Sequence, residues 1–217
     1  MTFVVKICGL RTPEHAVAAA HAGADWLGLV FAPSRRQVAV DTAATIVRAV
    51  RSLTNHPVSV VGLFVHTPPA SINEVAIRCS IDYIQLSGDE SLADAQGIVQ
   101  PVIKALRLDG SVNEQRWINA ATTPERTALR FAPCPFVVDA HVPGAYGGTG
   151  HQADWGRAAD LARMFPILLA GGLTPENVGH AIAQVHPQGV DVSSGVECAG
   201  IKDVERINAF VQAARLR

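Results

Sequence analysis

The chain has 217 residues, 48% of them hydrophobic and 17% charged, which suits a large buried core and excludes a disordered segment. Its 18 basic and 19 acidic residues leave a formal charge of −1 with no basic run, so a nucleic-acid partner is not expected. No apolar run approaches the roughly 18 residues of a membrane span, and no charged segment leads into a long apolar one at the start. The sequence therefore predicts a cytoplasmic protein with no membrane partner.

Short apolar runs alternate with helical stretches. Phe3–Ile7 reads as a buried strand. The helix after it can be capped by Thr12, opened by Pro13 and Glu14, and stopped at Gly23. Strand Asp25–Phe31 precedes helix Asp41–Arg51, and strand Val58–Phe64 precedes helix Pro69–Cys79. Strand Tyr83–Leu86 leads to a short helix over Glu90–Gly97, and strand Val102–Leu106 to a helix from Val112 to Ala121. Three more pairs follow: Phe136–Ala140 with Trp155–Arg163, Ile167–Gly171 with Pro175–Val185, and Gly189–Ser193 with Asp203–Ala214. The strands are continuous apolar runs, as expected where both faces are covered. Eight such units predict an α/β chain folded as one (β/α)8 barrel domain over 1–217. An open doubly wound sheet would carry a Gly-x-Gly-x-x-Gly turn after its first strand, and CGLRTPE lacks one.

In such a barrel the chemistry sits at the C-terminal ends of the strands. The first strand leads to Cys8 there, and the second leads to Arg35 and Arg36. The fourth ends in QLSGDE and the sixth at Asp139, before the glycine-rich GAYGGTG. Gly171–Gly172 follow the seventh strand, and Ser193–Ser194–Gly195 the eighth. Barrel enzymes often bind phosphate after those two strands, with backbone N–H groups as donors. A guanidinium on the same rim can grip a carboxylate through two parallel hydrogen bonds. A free cysteine is most often a small buried hydrophobe, but the place of Cys8 at a strand mouth makes it a candidate reactive group. Asp139 can serve as a general acid if burial raises its pKa, with Asp191 as a rival. Cys79, Cys134 and Cys198 have no such support and form no C-x-x-C pair. The eight histidines are scattered, so no metal is predicted.

With these residues in place, the chain resembles the phosphoribosylanthranilate isomerase family of tryptophan biosynthesis. KICGL, GLVF…SRRQV, VGLFV, YIQLSGDE, VVDA, GGTG…DW, LAGGLTPENV and GVDVSSGVE…G…KD carry the resemblance, in order, from Lys6 to Asp203. It implies an Amadori rearrangement without cofactor or metal, with a phosphosugar as the small-molecule partner and a monomer or homodimer as the assembly. It also implies that Asp139 is the general acid, Cys8 the general base, and that Arg36 contacts the anthranilate side of the ligand. Gln85 joins that binding set, and the phosphate would rest on Gly171, Gly172, Ser194 and Gly195. A thiolate base calls for nearby positive charge or backbone donors to lower the thiol pKa.

Two positions depart from the family pattern. Ser87 stands where Q-L-H-G is usual, and Arg35 where S-P-R has its proline. The first withdraws an imidazole from the aromatic end of the ligand; the second loosens the loop and sets Arg35 in competition with Arg36. Other phosphosugar barrel enzymes, such as indole-glycerol-phosphate synthase or ribulose-phosphate epimerase, and a non-catalytic phosphosugar-binding barrel are the alternatives.

Overall fold

Period-2 exposure along an apolar strand needs two partners, one for each face, and a closed barrel supplies both. A computed structural model describes residues 2–53, 57–122, 129–139 and 155–216. Its strands are β1 (Val4–Cys8), β2 (Trp26–Val30), β3 (Ser59–Phe64), β4 (Tyr83–Leu86), β5 (Val102–Leu106), β6 (Phe131–Val138), β7 (Ile167–Leu169) and β8 (Gly189–Val192). They pair in sequence order, all parallel, and β8 returns to β1 to close the barrel. The helices are α1 (Pro13–His21), α2 (Val40–Leu53), α3 (Pro69–Cys79), α4 (Val112–Thr122), α5 (Trp155–Ala162), α6 (Val178–Val185) and α7 (Val204–Arg215).

The two strand faces bury different layers. Val5 and Ile7 of β1 join the large outer core with the helices. Val4 packs instead with the inner cluster of Trp26, Val61, Ile103, Val137 and Leu168, and Cys8 with Val30 and Ala32 nearer the mouth. Helix α2 buries Ala43, Ile46, Val47 and Val50, one apolar stripe at helical spacing. Helix α1 forms as its residues predict: Thr12 Oγ1 accepts from His15 N at 3.3 Å, and Pro13 opens the first turn.

Four stretches differ from the sequence expectation. Residues 90–97 form turns with i→i−3 bonds rather than an α-helix, so the described residues hold seven α-helices. The cause is Glu90, whose buried carboxylate is drawn to Lys104 Nζ at 2.7 Å and also accepts from His66 N and Gly88 N. Helix α6 starts at Val178 and not Pro175, because the Asn177 side chain folds back onto Thr174 N and Gly172 O. Strand β6 begins at Phe131 and absorbs Pro133 and Pro135 through a register shift against β5; Ala140, its expected end, lies outside the described residues. After β8 come a 3₁₀ turn (Ser194–Val196) and a hairpin, β9 (Glu197–Cys198) with β10 (Ile201–Lys202), that the sequence reading passed over. Among the described residues no helix is long and apolar enough to cross a membrane.

The Glu90–Lys104 pair ties the loop after β4 to β5. Both side chains are buried, and Lys104 lies 5.7 Å from the centre of the Trp117 ring. Burial lowers the Lys104 pKa, and the Glu90 carboxylate opposes that fall. Removing one member of a buried pair strands the other charge, which typically costs about 3–5 kcal/mol. Lys104→Met is therefore expected to lower unfolding free energy by about that amount in urea melts. An unchanged midpoint would show that the pair contributes nothing.

Candidate active site

Alternation along β1 puts Lys6 and Cys8 on the inner face, and barrel closure sets Lys6 opposite Asp191 of β8 in register. Lys6 Nζ donates to Asp191 Oδ2 at 2.8 Å, with both side chains buried. Burial disfavours the ammonium, but Asp191, helped by Cys8, outweighs it and holds the Lys6 pKa above its ordinary value.

The same balance runs the other way at Cys8. Burial pushes its thiol up and Asp191 adds to that, while Lys6 and Lys202 pull it down without reversing it. Two lysines thus supply the main positive pull on this sulfur, and the net shift is a rise where a thiolate base calls for a lowered pKa. Cys134, inside the same barrel, has only burial acting on it and is pushed up to about 12. Cys8 is held in place from two sides. Ser193 Oγ donates to its carbonyl oxygen at 3.0 Å. Its register partner on β2 is Gly28, where a Cβ would lie 2.7 Å from the sulfur and 2.9 Å from Cys8 Cα. A lone glycine in the apolar WLGLV run is the sequence signal of that close approach.

A cavity of about 490 Å³ opens over this end of the barrel. Cys8 and Asp139 line it, with Arg36 and Gln85 from the second and fourth strand ends. Gly171, Gly172 and Ser194 line its β7–β8 side. The structure thus gathers seven of the eight predicted site residues around one space. Gly195 is set differently: a Cβ there would lie 1.8 Å from the Leu173 carbonyl oxygen, so this glycine lets the β8 turn press onto the β7 loop. Asp139 N donates to Leu106 O at 3.0 Å, and the glycine-rich stretch beyond it, with the Asp154 of GGTG…DW, lies outside the described residues.

The two arginines separate. Arg36 is buried in the cavity wall, and Arg35 is more than half exposed and not part of the lining. Arg36 Nε and Nη2 both bind the carboxylate of Glu197, at 2.7 and 3.0 Å, so the fork meets an internal carboxylate first. At the fourth strand, Gln85 Nε2 donates to Ser87 Oγ at 3.0 Å, and the buried Gln85 Oε1 has no partner among the described residues. Asp191, the rival acid, is tied to Lys6 by one oxygen. Lys6, Glu197 and Lys202 were missed as site residues; each stood inside a quoted motif with no role assigned.

The sequence matches the family described as N-(5'-phosphoribosyl)anthranilate (PRA) isomerase over residues 5–213. The chain belongs to the phosphoribosylanthranilate isomerase family. The family member from Roseiflexus sp. (strain RS-1) is 53% identical over 97% of both chains. The crystal structure of phosphoribosylanthranilate isomerase from Thermotoga maritima is 33% identical, covers all of both chains and superposes with a TM-score of 0.81. Another phosphoribosylanthranilate isomerase structure, 34% identical with a TM-score of 0.76 over both full chains, holds reduced 1-(o-carboxyphenylamino)-1-deoxyribulose 5-phosphate.

Gly28→Ala tests the seat of the sulfur. A misplacement of about 1 Å can cost about 100-fold in rate. The variant is expected to fold, as judged by circular dichroism, and to lose about 100-fold in kcat/KM for the family reaction. Wild-type kcat/KM in this variant would show that Gly28 does not set the position of Cys8.

Proposed function

We propose that this chain catalyses the Amadori rearrangement of N-(5-phosphoribosyl)anthranilate to 1-(2-carboxyphenylamino)-1-deoxyribulose 5-phosphate, in tryptophan biosynthesis. One observation carries the reading: a thiol and a carboxyl group, Cys8 and Asp139, face one cavity whose β7–β8 side is built from Gly171, Gly172 and Ser194. An aldose–ketose shift needs an acid and a base disposed around one sugar, and this cavity offers both.

Asp139, as general acid, protonates the furanose ring oxygen, and the ring opens to a Schiff base. Cys8, as thiolate, removes the proton from the second carbon of the sugar. The electron pair moves into the C1–C2 bond as the iminium nitrogen is neutralised, and the enolamine then tautomerises to the ketone. Asp139 is taken as the acid because it holds the VVDA position of the family's general acid; Asp191 accepts a hydrogen bond from the Lys6 ammonium. The phosphate rests against the Gly171–Gly172 loop and Ser194, where backbone N–H groups can donate. Arg36 and Gln85 serve the anthranilate end. Arg36 is preferred to Arg35 because it alone of the pair lines the cavity. Gly195 acts indirectly, by seating the turn that carries Ser194.

One chain carries every group named, so the chemistry does not require a homodimer. A dimeric form is described for the Thermotoga maritima relative, 33% identical with a TM-score of 0.77 in that structure. A cytoplasmic location fits a pathway enzyme acting on a small phosphorylated metabolite.

The test is turnover of phosphoribosylanthranilate made in situ, followed by loss of its fluorescence. Wild type is expected to turn it over, and Cys8→Ser and Asp139→Asn each to lose about 100-fold or more, the usual contribution of one acid or base. Full activity in either variant removes that residue from the mechanism. An inactive wild type that still binds the product analogue would instead support a phosphosugar-binding barrel.

A further inference from the structure

Outside the reacting pair, the hairpin after β8 builds a cluster of charges around one carboxylate. The Glu197 side chain is almost wholly buried, and it accepts four hydrogen bonds from three cations. Arg36 supplies two, from Nε at 2.7 Å and Nη2 at 3.0 Å; Arg35 Nη2 adds one at 3.0 Å, and Lys202 Nζ one at 2.8 Å. Burial works against this carboxylate, but Arg36 and Lys202 together hold its pKa below the ordinary range.

We propose that Glu197 is a positioning residue for the isomerisation, which aims the Arg36 guanidinium into the substrate cavity and registers it to Cys8. The inference rests on the isomerase reading and deepens it. The geometry forms one continuous chain. Lys202, itself buried, donates to Ser193 O at 2.8 Å as well as to Glu197. Ser193 Oγ in turn donates to Cys8 O at 3.0 Å. The stretch from Arg36 through Glu197, Lys202 and Ser193 to Cys8 therefore joins the β2 loop, the β9–β10 hairpin, the β8 turn and the end of β1.

The chemistry of the grip explains what it does. A long arginine side chain has many rotamers, and ordering it on binding costs affinity. Glu197 takes the side-on edge of the fork, so the rotamer is set before substrate arrives. Among the described residues, Arg36 Nη1 has no hydrogen-bond partner and stays available to a ligand carboxylate. The cluster also remains net positive, three cations to one anion, which suits an anionic ligand. A carboxylate beside the binding guanidinium thus orients it without neutralising the site.

Steady-state kinetics on phosphoribosylanthranilate made in situ, in four proteins, tests this. They are wild type, Glu197→Gln, Arg36→Ala and the double variant, with Glu197→Asp as a shorter, still charged replacement should Glu197→Gln fail to fold. Turnover by wild type is the control for the isomerase reading itself. The expected result is a KM raised about tenfold or more in the folded Glu197 variant with kcat within about threefold of wild type. Loss of folded protein alone would lower kcat and leave KM unchanged. Because Glu197 acts through Arg36, its substitution should add little to KM in the Arg36→Ala background, the non-additivity of residues in one network. An unchanged KM in the folded variant, or the same fold-increase with and without Arg36, overturns the proposal while leaving the isomerase reading intact.

Discussion

The closing pair of strands, β1 against β8, is the constraint on which the rest of the molecule depends. Eight strands can curl without meeting; here the seam is pinned by Lys6 opposite Asp191, a register pair that is also a buried ion pair at 2.8 Å. A one-residue slip would turn every inner side chain outward. It would separate these charges in a region with little water, so the pair specifies one register. The same register places Cys8 two residues further along β1, at the mouth, and Ser193 two residues beyond Asp191 on the opposing side, where its hydroxyl reaches the Cys8 carbonyl.

This arrangement sets opposing demands on the sulfur. A thiol buried at the mouth of a barrel is shielded from water, and burial raises its pKa. A thiol held high is mostly protonated near neutral pH, which limits the fraction ready to react. Once formed, however, such a thiolate is a stronger base toward a carbon-bound proton. Lys6 and Lys202 moderate the rise, and Cys134 shows what burial alone does in the same barrel. The two lysines reach Cys8 from different elements, one along its own strand and one from the hairpin that also carries Glu197.

Much of the barrel was legible because strand and helix periodicities are local properties. The rim was legible for a related reason: once eight strands are counted, their ends point to Cys8, Asp139 and the Gly171–Gly172 loop as candidates, with Asp191 left as a rival that only the family resemblance set aside. What escaped depends on pairings that sequence distance hides. Lys6 stood in plain view within VVKIC, but its partner is 185 residues away and becomes a neighbour only when the barrel closes. Glu90 looked like the start of a helix because its capture by Lys104 is a tertiary event. The β9–β10 hairpin has strands of two residues, too short for any periodic signal, and with it went the roles of Glu197 and Lys202. Ser87 also proves to be the partner of Gln85 on the cavity wall, a contact its sequence neighbours did not signal.

The strand-closing ion pair also tunes the Cys8 sulfur: Lys6 pulls its pKa down and Asp191 pushes it up. Thiolate absorbance near 240 nm, taken as the difference between each protein and its Cys8→Ala counterpart, reads that sulfur directly. In wild type the midpoint should lie above the ordinary thiol value of about 8.5. In folded Lys6→Met it should lie higher still, because a cation that lowers the thiol pKa is gone and the Asp191 carboxylate that raises it remains. A midpoint that stays put or falls in Lys6→Met would contradict the account.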